Sequence, residues 1–275
     1  MAAAALIALR EGLEAALIVG IVLGYLGRIG YLEGRRSVWI GVFVAVIASL
    51  VLAFFIQLIG MELEGRAEEI FEGATMFLAV GVLTWMIFWM RTQARLVKTS
   101  LERDVQDAVE TGTKWGLILV AFIAVFREGV ETALFLSAAA FASSGQGILI
   151  GAALGLAAAI LIGYLIYAST AKLNVKHFFN ITSVLLLLFA AGLLAHGIHE
   201  FQEAGIIPTM NEHVWDTNHL LDENSDTGQM LRAVFGYNGN PSIEEVVGYI
   251  GYWVVVLIGL RLWMENRAAP KLEQA

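Results

Sequence analysis

The chain has 275 residues, 58% hydrophobic and only 15% charged, with a formal net charge of −8 and a mean hydropathy of +0.73. A soluble domain carries about 25% charge, so the composition excludes an ordinary water-soluble fold and points to an all-α membrane protein. There is no cysteine, which excludes disulfides and thiolate metal ligands, and the 8 methionines do not cluster along the chain, which speaks against a soft-metal site.

Apolar blocks long enough to cross a hydrocarbon core about 30 Å thick fall at about 3–26, 38–60, 71–90, 115–141, 147–169, 178–199 and 246–264. They predict seven transmembrane helices in a single membrane domain, 1–275. The first block lacks the basic start and small-residue cleavage site of a secretory signal, so it reads as a retained helix. Between the second and third blocks, Glu62, Glu64, Glu68 and Glu69 stand against one Arg66. The 91–114 segment mixes Lys and Arg with Glu102, Asp104, Asp107 and Glu110, the pattern of an amphipathic cytoplasmic connector. The 200–245 segment carries nine acidic residues, from Glu200 and Glu203 through Glu212, Asp226 and Glu245, against Arg232 alone. An acidic external face attracts cations, although solvated loops are often acidic for no such reason.

Loop charges set the orientation. Arg28, Arg35, Arg36, Arg91, Arg95, Lys98, Arg103, Lys114, Lys172, Lys176, Arg261, Arg267 and Lys271 all fall on one side of a seven-span arrangement. Arg66 and Arg232 are alone on the other. The N-terminus is expected outside and the C-terminus in the cytoplasm. Tyr25, Tyr31, Trp39, Trp89, Trp115, Trp253 and Trp263 fall near span ends and read as interfacial anchors. Gly20, Gly24 and Gly27, and Gly147, Gly151 and Gly155, recur at helical spacing and read as close-packing faces.

One charged string occurs twice inside apolar sequence: R-E-G-L-E-A-A-L at Arg10 to Leu17, and R-E-G-V-E-T-A-L at Arg127 to Leu134. One charge at mid-membrane costs roughly 2.5–3.5 kcal/mol on insertion scales, so three together need a reason. The first copy lies in a span running inward and the second in one running outward. Spans one to three (about 3–90) and four to six (about 115–199) then form an inverted three-plus-three repeat, with the helix at 246–264 added. Secondary transporters commonly use this architecture, with the substrate site near mid-membrane.

On a helix Arg10, Glu11 and Glu14 fall at about 0°, 100° and 40°, on one face. Arg10 and Glu14 can pair at i, i+4, which leaves Glu11 as a second, unpaired carboxylate; Arg127, Glu128 and Glu131 repeat the pattern. Gly12 and Gly129 leave the backbone open to another helix. Two facing motifs give four carboxylates and two guanidiniums, net −2, an all-oxygen site for hard or borderline cations. A divalent ion would neutralise it; a trivalent ion would need one more carboxylate or a deprotonated water. The competing structural reading makes each motif a self-satisfied salt bridge that locks helix packing. Glu68, Glu69 and Glu72 at the outer start of the third span are further candidate ligands. So are His196, His199, Glu200 and Glu203 at the outer end of the sixth. Their ordinary explanations are a helix dipole for the acids and hydrogen-bonded histidines.

Two R-E-G-x-E motifs in the first and fourth of seven spans resemble the oxidase-linked iron permeases of fungi and bacteria. E-E-I-F-E-G at Glu68 to Gly73 resembles that family's acidic approach to its third span. H-E-F-Q-E-A-G at His199 to Gly205 and the Pro208 to Asp216 region resemble the bacterial branch. The resemblance implies iron as transported substrate with no organic cofactor, and import across a bacterial cytoplasmic (inner) membrane. It also implies ferric iron supplied by a separate iron-oxidising or iron-delivering protein outside the cell. Glu11, Glu14, Glu128 and Glu131 would bind iron in transit, and Arg10 and Arg127 would hold them. No nucleic acid and no partner beyond lipid, iron and the delivering protein is expected, and no enzymatic activity. The alternatives are an importer of manganese, zinc or lead, and a membrane di-iron oxidase. The oxidase is disfavoured because such sites use Glu-x-x-His and these motifs contain no histidine.

Overall fold

The computed structural model describes residues 1–93, 96–112, 114–143, 147–168, 175–211, 213–223 and 225–268. Arg95, Lys172, Glu212 and Lys271, used above for loop charge, lie outside the described residues. So do the side chains of Arg91, Lys114, Lys176, Asp226, Trp263 and Arg267.

Among the described residues all regular structure is helical, as the composition requires. The helices are α1 (Ala2–Arg28), α2 (Gly34–Glu62), α3 (Arg66–Gln93), α4 (Leu96–Glu110), α5 (Lys114–Phe141), α6 (Ile148–Ala168), α7 (Val175–Glu203), α8 (Asp226–Phe235) and α9 (Ile243–Ala268). Helices α2, α3, α6, α7 and α9 are long and apolar enough to cross a membrane. Helices α1 and α5 match them at 27 and 28 residues, and the motif charges are what set them apart. Two boundaries move from expectation. Helix α3 starts at Arg66, so Glu68 and Glu69 lie in its first turn, where acids favour the dipole. Helix α7 runs on to Glu203, so Glu200 and Glu203 sit on a helix rather than in the loop.

Lipid-facing surfaces are legible in the exposed apolar residues. Trp39, Phe43, Leu50 and Phe54 form one stripe on α2, and Leu149, Leu161 and Tyr164 cover α6. In water such patches would aggregate; in hydrocarbon they cost nothing. Helix pairs instead meet through small residues. A Cβ at Gly151 or Gly155 of α6 would run into the Met1 and Ala5 carbonyl oxygens of α1, and one at Gly41 of α2 into the Ile118 carbonyl oxygen of α5. Gly147 is a left-handed turn residue (φ 80°) lying against the Met1 side chain. Gly20 and Gly24 differ from these: among the described residues nothing lies within 4 Å of a Cβ at either.

The most extensive contacts pair α1 with α6, α2 with α5, and α3 with α7, while α1 also meets α5 directly. Two apolar clusters result. One joins Ala3, Ala4 and Ile7 of α1 to Phe135, Ala138 and Ala139 of α5, with α3 and α7. The other joins Val22 and Leu26 of α1 to Leu117 and Ala121 of α5, capped by Leu101, Val105 and Ala108 of α4. The connector is therefore the amphipathic helix expected, tied on its polar side by an Arg28–Glu102 pair of 2.6 Å and a Tyr25–Gln106 hydrogen bond of 3.1 Å. Both motifs lie between the two clusters, along the same two helices.

Candidate metal-transit site

The α1–α5 contact brings the two charged strings together. Carboxylate oxygens of Glu11, Glu128 and Glu131 lie within 4.8 Å of one another, and all three residues are buried. The fourth carboxylate, Glu14, is almost buried and interacts electrostatically with Glu128 and Glu131. Gly12 and Gly129 face away from that contact and admit other helices. A Cβ at Gly12 would press on Ala159 of α6, and one at Gly129 would overlap the Ser49 hydroxyl of α2.

The two arginines are held differently. Arg10 is fully buried: Nη1 donates to Glu11 Oε1 at 2.6 Å and to Met86 Sδ at 3.1 Å, and Nη2 donates to Met90 Sδ at 2.9 Å. The Arg10–Glu14 pair expected at i, i+4 is present at 3.1 Å, off the direction of a hydrogen bond. Glu11, expected to be unpaired, is therefore the closer partner, because a fully extracted guanidinium reaches both carboxylates. Arg127 Nε donates to Glu131 Oε1 at 3.0 Å, and its guanidinium lies 4.4 Å over the Trp89 ring. Its side chain is 38% exposed against 0% for Arg10. Trp89, expected as an interfacial anchor, also presents its ring face as a cation–π support.

Salt bridging leaves the site unsatisfied. Glu11 Oε2, Glu14 Oε1, Glu128 Oε2, Glu131 Oε2 and Arg10 Nε are all buried without a hydrogen-bond partner. A buried polar atom without a partner costs about 1–3 kcal/mol, a cost that ion pairing within each motif leaves standing at Glu11, Glu128 and Glu131. A coordinated cation removes that cost.

The acidic residues of the far ends also meet. Gly73 lets α3 approach Phe201 and Glu200 of α7, and Phe77 stacks on Phe201 with centroids 5.2 Å apart. Glu72 thereby interacts electrostatically with Glu68 and Glu203, and Glu200 with Glu69, Glu72 and Glu203. His196 does not join them. Arg232 Nε donates to its Nε2 at 2.6 Å, and its Nδ1 faces the Gly192 carbonyl at 3.0 Å, so both nitrogens are engaged. His199 lies between Glu203 (Nε2–Oε1, 3.3 Å) and Glu245 (Nδ1–Oε1, 3.1 Å).

Sequence reasoning missed Met86, Met90, Trp89 and Glu245. The first three share one face of α3 at i, i+3 and i+4 spacing, a visible signal, but nothing in the string says that two arginines from other helices land on it.

Carboxylates buried and facing one another in a multi-helix chain are the donor set of a membrane protein that handles cations. The chain matches the iron permease FTR1 family over residues 1–269 and belongs to it. It is 40% identical over 259 residues to the ferrous iron permease EfeU of Shigella sonnei, covering 94% of each chain. To EfeU of Yersinia pestis it is 40% identical over 255 residues, covering 92% of this chain and 90% of the relative. A relative from Escherichia coli strain K12, also 40% identical over 259 residues, is described as a "putative inactive ferrous iron permease". No solved structure matches. The chain is thus a multi-pass membrane protein of a family of iron transporters.

Proposed function

We propose that Glu11, Glu14, Glu128 and Glu131 form the transit site through which this permease imports iron, and that the ion in transit is ferrous. The observation that carries the reading is the set of buried carboxylate oxygens of Glu11, Glu128 and Glu131, one on each without a hydrogen-bond donor, facing one another from two motifs with Glu14 beside them. With both arginines charged the set is net −2, which a divalent ion neutralises without hydroxide. Ferric iron, expected from the family resemblance, would leave a net positive buried site. The printed names of the relatives, ferrous iron permeases, agree with the charge count.

Packing supports an inverted repeat of α1–α3 and α5–α7. Exchanging α1 with α5, α2 with α6 and α3 with α7 turns the α1–α6 contact into the α2–α5 contact, and these two are the most extensive. The same exchange maps the α1–α5 and α3–α7 contacts onto themselves. With α9 added this gives seven spans, N-terminus outside and C-terminus in the cytoplasm by loop charge. Glu68, Glu69, Glu72 and Glu200 then line the outer approach, where an iron-delivering protein would dock. Uptake of radiolabelled iron by cells lacking other importers tests the site. Glu14→Ala and Glu131→Ala should each abolish accumulation while the protein is still found in the membrane. Undiminished uptake in both would remove the carboxylates from the path.

A further inference from the structure

A second cluster of ligating side chains lies outside the central site. The end of α7, the start of α9 and the segment between them line a half-open cavity of about 450 Å³ whose lining residues all carry polar side chains. His199 and Glu203 enter it from one face of α7, at i, i+4. Glu245 stands behind the ring: it is 3% exposed, and its Oε1 accepts from His199 Nδ1 at 3.1 Å. Asn238 Nδ2 donates to its other oxygen, so this carboxylate is fixed in place.

That arrangement determines what faces the cavity. A carboxylate only accepts, so Nδ1 carries the ring proton and Nε2 of a neutral ring presents a lone pair. Across from Nε2, at 3.3 Å, is Glu203 Oε1, another acceptor. Two lone pairs at that distance repel unless a cation or a proton lies between them. Two ligand atoms at right angles on a divalent ion with bonds of about 2.1 Å are separated by about 3.0 Å, close to the spacing observed. A carboxylate behind a histidine is also the usual outer support of a metal-bound imidazole, setting its tautomer and direction.

We propose that His199 Nε2 and Glu203 Oε1 are a two-ligand loading site for a hydrated divalent cation, with Glu245 as the positioning residue. The rest of the coordination shell is water, for which the cavity has room, and the buried, unpartnered Asn240 Oδ1 is an acceptor for such water on the same wall. Imidazole with carboxylate selects borderline divalent ions over hard trivalent ones. Two protein ligands bind weakly, which a site that must pass its ion onward requires. Glu203 interacts electrostatically with Glu72 and Glu200, so a loaded ion stands beside the acidic row at the start of α3.

The site extends the transport reading without depending on the central carboxylates, and its test separates the two. Mn2+ serves as the probe, bound to the detergent-solubilised full chain, both wild type and with Glu11→Gln, Glu128→Gln and Glu131→Gln together. Electron spin-echo spectra should show nitrogen modulation from one imidazole in both proteins. His199→Gln should abolish the modulation in either background, and Glu203→Gln should do the same. Glu245→Gln should keep it while weakening affinity about 10-fold or more. Bound Mn2+ without nitrogen modulation, or modulation surviving His199→Gln, would overturn the proposal. So would absence of Mn2+ from the cavity of folded wild-type protein, which would make His199 an imidazolium bridging two glutamates.

Discussion

The terminal nitrogens of Arg10 meet two carboxylates and two thioether sulfurs, and its guanidinium lies 6.0 Å from the Phe179 ring. Arg10→Leu would leave Glu11 and Glu14 facing Glu128 and Glu131 with one compensating charge fewer. Breaking one side of a buried ion pair costs about 3–5 kcal/mol. The variant should lose a large part of its thermal stability in detergent, and Glu11→Gln in the same chain should restore some of it. Arg10→Lys should not substitute, since an ammonium cannot span two carboxylates and two sulfurs from one plane. Arg127→Leu should cost less, because that guanidinium is part exposed and pairs with one carboxylate. Equal losses at Arg10 and Arg127, read from thermal unfolding, would contradict the asymmetry. Only part of this was legible in the string. The repeated R-E-G-x-E spacing put three charges on one helix face and named the four carboxylates that the fold brings together. It could not show Met86, Met90 or Trp89, because those contacts come from the packing of a third helix, and it made Glu11 the unpaired residue when reach rather than spacing decides the partner.

At the scale of the helix, the glycines separate into those that pack and those that do not. Gly155→Val would force α6 away from the Ala5 carbonyl and the Leu9 amide. A clash with backbone cannot relax by moving a side chain, so overpacking of about 1–3 kcal/mol or more is expected and the melting temperature should fall. Gly24→Ala meets nothing within 4 Å and should be neutral or gain up to about 1 kcal/mol from helix propensity. The two variants side by side in a thermal-shift assay test the distinction; a destabilised Gly24→Ala would refute it. Spacing alone had grouped these glycines together, since periodicity reports a shared face and not what the face touches. Helix boundaries in apolar sequence were close to those observed. They failed where polar residues continue a helix beyond the hydrocarbon, at Arg66–Ile70 and at Glu200–Glu203, since hydropathy ends before the hydrogen bonding does.

For the whole molecule, the seven-span arrangement and its orientation make a labelling prediction that the cysteine-free sequence allows without background. A cysteine at Glu33 or Ser100 should resist a membrane-impermeant maleimide in intact cells and react after lysis. One at Glu64 or Thr209 should react from outside. Labelling of Glu33→Cys in intact cells would invert the topology and, with it, the direction in which the acidic end faces. The same arrangement places the central carboxylates between two apolar clusters, one shared with α3 and α7 and one closed by α4. On the proposed reading an ion held there would have an apolar cluster on either side, and passage would require the clusters to open in turn. That is the demand alternating access makes on a carrier built from opposed repeats.

The central claim is that four carboxylates from two opposed motifs carry ferrous iron across the membrane. Flux of radiolabelled iron into proteoliposomes of purified protein, measured anaerobically with ferrous iron and aerobically with chelated ferric iron, tests it most directly. The account predicts ferrous flux in the wild type, little ferric flux, and no ferrous flux in Glu11→Gln, Glu128→Gln and Glu131→Gln proteins that elute normally. Ferric flux exceeding ferrous flux, or ferrous flux persisting in all three variants, would contradict it.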